Sequence, residues 1–128
     1  MSGLVLRLDG DRAVYEPGEL LQGSVSWTAA FTPQKIEVRL YWKTAGKGTT
    51  DAVVVAVVDL GDRTPRMNDR QPFRFQLPHL PYSFSGRLVS LKWGIEVIAE
   101  AAGVSTHLEF VMAPGGRPVV LHEGDRAP

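Results

Sequence analysis

The chain has no cysteine, which excludes structural disulfides, thiolate metal sites and cysteine nucleophiles together. It also has no excess of either charge, because 14 basic and 14 acidic side chains cancel among its 128 residues. A balanced chain sets up no field of the kind that gathers DNA, RNA or anionic lipid, so nucleic acid is not the expected partner. No apolar run approaches the length that crosses a bilayer, and stable membrane insertion is not expected. The early apolar stretch Leu4, Val5, Leu6 is cut by Arg7, too soon for a signal peptide, and a reducing cytoplasm is the expected compartment. Histidine is scarce: His79, His107 and His122 have no companion histidine at helical or turn spacing, whereas zinc sites use ligand pairs close in sequence. Surface histidines are the expectation, and neither a metal nor another cofactor is.

A helical period is missing too, and a period of two takes its place. Leu21, Gly23, Val25 and Trp27 alternate with Gln22, Ser24, Ser26 and Thr28, which puts apolar groups on one face of a pleated strand. The pattern returns in Ile36, Val38, Leu40 and Trp42, in Phe73, Phe75 and Leu77, in the long row Val89, Leu91, Trp93, Ile95, Val97 and Ala99, and in Leu108, Phe110 and Met112. Turn formers bound each run. Asp9-Gly10-Asp11 suits a tight hairpin. Pro17-Gly18 suits a type II turn, in which proline presets the first central residue and glycine accepts the positive φ of the second. Gly46-Lys47-Gly48 reads as another hairpin tip. Many short half-buried strands with 13 glycines and 9 prolines mostly between them imply an all-β, two-sheet antiparallel sandwich, immunoglobulin-like in architecture, as a single domain.

One stretch departs from alternation. Ala52 through Val58 is apolar and mostly β-branched without interruption, so both faces of that strand call for cover; burial within the domain is the first expectation and a dimer interface the second. The region 61–72 reads as a solvated polar loop. The sandwich is expected to occupy 1–112, and 113–128 to form a C-terminal extension that frays or adds an edge strand through Val119, Val120 and Leu121.

No catalytic constellation stands out. There is no Gly-x-Ser-x-Gly elbow for a nucleophilic serine. Thr44-Ala45-Gly46-Lys47-Gly48-Thr49-Thr50 resembles a phosphate loop only in part, since Gly48 stands where a Ser or Thr must follow the lysine and no helix comes behind it. Asp9, Asp11, Glu16 and Glu19 belong to turns rather than to an oxygen-rich calcium loop. Trp27, Trp42 and Trp93 all fall on the inward parity of their strands, which makes them core anchors and disfavours an aromatic platform for sugars. Tyr41 points outward among Glu37, Arg39 and Lys43. With Lys47 at the adjoining tip, these residues form the expected protein-binding surface, because exposed strand faces and loops carry recognition on such scaffolds.

Two blocks resemble arrestin-like domains. The first is Tyr15-Glu16-Pro17-Gly18-Glu19 with Gly23 in the next strand; the second runs Leu77-Pro78-His79-Leu80-Pro81-Tyr82-Ser83-Phe84-Ser85-Gly86 and leads into the strand through Trp93 and Val97. Their order and spacing match the N-terminal domain of that family over about residues 4 to 112. The resemblance implies a non-enzymatic adaptor or scaffold, nearest to short cytoplasmic bacterial proteins of the sporulation-control type, with a protein as partner. It also implies that Tyr15, Pro17, Gly18, Gly23, Pro81, Ser83, Phe84 and Gly86 shape turns and plug the sandwich rather than touch a ligand. Arrestins carry two such domains and use the groove between them, whereas this chain has length for one. The alternatives are a self-assembling subunit, dimeric through an exposed strand edge, and, after it, a carbohydrate-binding or carbohydrate-active sandwich.

Overall fold

The computed structural model describes residues 4–27, 35–46, 49–62, 69–86, 89–99, 103–116 and 119–121. Among them are ten strands: β1 (Leu4–Leu8), β2 (Val14–Tyr15), β3 (Leu20–Trp27), β4 (Lys35–Gly46), β5 (Thr49–Asp62), β6 (Asp69–Gln76), β7 (Phe84–Gly86), β8 (Val89–Ala99), β9 (Val104–Met112) and β10 (Val119–Leu121). They form a three-stranded sheet in the order β1-β3-β6 and a larger one in the order β10-β7-β8-β4-β5, with β9 on β8 and β2 on β9. The all-β sandwich read from the alternating pattern is the architecture observed.

Side-chain parity places the core between the sheets. Leu21, Val25 and Trp27 of β3 meet Phe73 and Phe75 of β6 from one side, and Val38, Leu40, Trp93, Ile95 and Val97 close it from the other. Each such side chain taken out of water contributes about 1.5–3 kcal/mol. Trp93 is wholly buried and donates its indole N–H to the carbonyl of Pro81 at 2.8 Å. Trp42, placed inward by parity, is only partly buried against this core.

Three local expectations are corrected. Asp9-Gly10-Asp11 is a turn, with Gly10 at φ 72, but not a hairpin: β1 pairs with β3 in the smaller sheet and β2 with β9 in the larger, so this turn carries the chain from one layer to the other. The valine-rich run is only partly buried within the domain: Ala56 and Val58 pack against the core, but the other residues of the run do not. Among the described residues β5 ends the larger sheet, and Val53, Val54, Val55 and Val57 are 41 to 50% exposed. The register explains why alternation fails there. Leu40 faces Ala56 and Tyr41 faces Val54, so Val55 is an extra residue in a bulge, and parity changes across it.

The region 61–72, expected as a polar loop, is strand at both described ends, since β5 runs to Asp62 and β6 begins at Asp69, and 63–68 lie outside the described residues. The turn at Pro17-Gly18 follows the sequence. Gly18 sits at φ 80 and the N–H of Glu19 donates to the carbonyl of Glu16, closing a type II turn. The N–H of Gly18 donates to Pro78 and that of Leu77 to Glu19, while the Gln76 amide donates to the carbonyl of Gly18. β4 and β5 pair as far as Gly46↔Thr49; Lys47 and Gly48 lie outside the described residues. Val119–Leu121 adds a strand parallel to β7, while residues 117–118 and 122–128, His122 among them, lie outside the described residues.

Candidate functional site

The sequence-derived surface lies on the outer face of the larger sheet, where β4, β8 and β9 run side by side. Register sets its rows. Arg39 faces Glu96, which faces His107; Tyr41 faces Gly94, which faces Glu109; Lys43 faces Lys92. Glu37, Arg39, Tyr41 and Lys43 are half-buried rather than free-standing, and three of them are paired. The Arg39 guanidinium donates twice to Glu37, at 2.8 and 3.0 Å. Lys43 reaches across β8 to Glu109 at 3.0 Å, and Lys92 approaches the other oxygen of Glu109 at 3.9 Å.

Tyr41 lies over Gly94. A Cβ at that glycine would collide with the phenol, with the ring's Cε1 only 2.9 Å away, so the ring lies against bare backbone as in other cross-strand glycine–aromatic pairs. Burial pushes the Tyr41 hydroxyl above its ordinary pKa, and Lys43 opposes that rise. The Lys43 bond holds the Glu109 carboxyl below the usual range while partial burial works against it; the same bond raises Lys43. The face thus consists of one aromatic seated on bare backbone between two ion pairs. Glu109 and Gly94 were not singled out from sequence. Their outward parity was readable, but their position beside Tyr41 depends on the strand order β4-β8-β9.

The residues of the two motif blocks gather elsewhere, at one end of the sandwich. Tyr15 is buried edge-on to Phe110, with centroids 5.3 Å apart, and Phe110 lies 6.2 Å from Trp93. Arg12 stacks on the Tyr15 ring at 4.2 Å and pairs with Glu19; this pairing, with the backbone N–H of Glu16, lowers the Glu19 pKa. Ser83 is buried. Its N–H donates to the carbonyl of Met112 at 2.8 Å and its Oγ accepts from the Met112 N–H at 3.0 Å. Phe84 and Gly86 bound β7, while Pro17 and Gly18 form the turn whose Gly18 bonds to Pro78 and lies against His79. Gly23 lies under Phe73, whose Cζ would stand 2.8 Å from an added Cβ. These contacts hold strands together and leave the outer face to other residues. His79 and His107 are exposed. Among the described residues no three histidines or carboxylates are placed to hold a metal ion, and no helix is long and apolar enough to cross a membrane.

No protein-family model matches the chain, and no curated protein matches it by sequence. Solved structures do. An alkylpurine DNA glycosylase from Pseudomonas fluorescens, bound to DNA with an abasic site analogue, aligns at TM-score 0.42 and 13% identity over 88% of this chain and 31% of its own, too loosely to carry any argument. The sporulation control protein Spo0M from Bacillus subtilis aligns at TM-score 0.65 and 18% identity, over 86% of this chain and 48% of that one. The chain therefore spans about half the length of this neighbour, and the arrestin-like sandwich to which its two motif blocks pointed is the fold it has.

Proposed function

We propose that the chain is a non-enzymatic protein–protein interaction module of the cytoplasm, and that it presents the outer face of its larger sheet to a protein partner. Tyr41 carries this reading. An aromatic held against Gly94 has little freedom left to lose on binding, and a rigid aromatic bordered by charge matches the anchor-and-rim composition of protein interfaces. The ion pairs Glu37–Arg39 and Lys43–Glu109 keep the rim polar without strong net charge, which suits a selective partner better than a polyanion. A fold shared with a sporulation control protein supports a regulatory role over a metabolic one.

A photo-crosslinking side chain placed at Arg39 tests the reading against the same group at Arg74, exposed on the smaller sheet. Crosslinking in the native host should give one discrete product from position 39 and none from 74, with Tyr41→Ala reducing the yield. Equal products from both faces, or none from position 39, would contradict it.

A second reading, self-assembly through β5, is favoured by the exposed valines of that edge. Sedimentation velocity separates the two, since a monomer at high concentration removes the second.

A further inference from the structure

We infer that a notch in the larger sheet, at the fork where β9 parts from β8, binds a small apolar carboxylate. The notch exists because one edge of β8 serves two strands in succession. β9 pairs with β8 from Ala99↔Val104 to Trp93↔Phe110 and then leaves it, Val111 and Met112 pairing instead with Val14 and Tyr15 of β2. β7 takes up the vacated edge at Ser90 and Leu91. The departing strand is held by hydrogen bonds between Met112 and the buried Ser83, the residue just before β7, so the fork is pinned on both sides.

Between the two strands lies a cavity of about 440 Å³, within the range of small-ligand sites. Phe84, Leu91 and Phe110 supply its apolar floor, while Ser85, Ser90 and Lys92 stand among its polar lining. With β7 on one side and β9 on the other, it admits a compact group rather than a through-running chain.

Charge sets the class of ligand. Glu109 also borders the cavity, but it is held between Lys43 at 3.0 Å and Lys92 at 3.9 Å, so two ammonium groups face one carboxylate. Lys92 is the looser of the two and is 57% exposed. The surplus positive charge therefore belongs at the rim, where a ligand carboxylate could meet Lys92 and accept from the Ser85 and Ser90 hydroxyls while its apolar body covers the floor. A cation would add to the surplus, and a neutral apolar molecule would gain nothing from Lys92. This inference goes beyond the partner-binding reading, and neither needs the other.

Titration of the isotope-labelled protein by amide NMR tests it, with hydrocinnamate as probe and the uncharged hydrocinnamamide as control. Saturable shifts are expected at residues 83–86, 90–92 and 109–111, in about the millimolar range for so small a probe. The amide should bind about three-fold or more weakly, the discrimination one exposed charge can provide. Lys92→Met should erase that difference, and Ser90→Trp, which fills the notch, should abolish saturation. Lys92 is exposed enough for its variant to fold, so the charge comparison stands even if the filled variant does not fold. Shifts that fail to saturate, that spread beyond the fork, or that are equal for acid and amide in the unmodified protein would overturn the proposal.

Discussion

Gly23 and Gly94 show how one residue type meets two local demands. Each lies beneath a cross-strand aromatic, but Gly23 also faces the backbone carbonyl of Arg7, which cannot move aside, whereas the atoms nearest to a Cβ at Gly94 all belong to the half-exposed Tyr41 side chain. Gly23→Ala should therefore cost about 2 kcal/mol or more through overpacking. Gly94→Ala should cost less, about 1 kcal/mol, because the added methyl displaces the far end of one side chain from its seat rather than pressing on backbone. Urea denaturation of the two variants checks the order, and a larger loss at Gly94 would contradict the account. Ser83→Ala leaves the buried Met112 N–H without its acceptor, for an expected loss of about 1–3 kcal/mol in the same assay. The sequence showed much of this at the motif blocks, where Pro17-Gly18 named its turn type outright. It could not show Tyr41 over Gly94, since a lone glycine inside a strand signals a close approach without saying what approaches.

Strand β5 is where the sequence pattern was hardest to read. An unbroken apolar run ordinarily means cover on both faces, yet here it reflects an edge strand whose parity shifts at Val55. Propensity and hydrophobicity do not report sheet order, so centre and edge could not be told apart. Val54→Lys together with Val57→Lys should leave folding stability within about 0.5 kcal/mol of the parent, as exposed substitutions do. The pair should also lower any self-association, because lysines on an edge oppose strand addition. Sedimentation velocity across a concentration series reads both the parent and the variant. The notch at the fork of β8 was equally invisible, since it comes from β9 changing partners after Phe110 and no local motif marks that change.

For the whole molecule, acid is the expected weakness. Glu19 and Glu109 both titrate below the ordinary carboxylate value of 4.5, so each contributes stability that is present above that value and is lost as pH falls through the lowered one. Lys43, raised above 10.5, contributes in the opposite sense: its share is present below that value and is lost as pH rises beyond the raised one. Stability should thus be level between these limits. Glu19→Gln with Glu109→Gln should flatten the acid limb, by no more than about 1 kcal/mol per pair because these ions are partly solvated. Unfolding curves taken at successive pH values decide it; an unchanged acid limb would mean that other groups set it. At this scale the sandwich was legible because a two-residue period repeated through five strands leaves few alternatives, whereas the outer face needed three strands from distant parts of the chain to be laid side by side. The extra residue at Val55 carries one last implication, for behaviour in crowded solution. An incoming regular strand would find seven uncharged residues divided by a kink into two short lengths, so docking there should end with a single visitor and not seed a fibre.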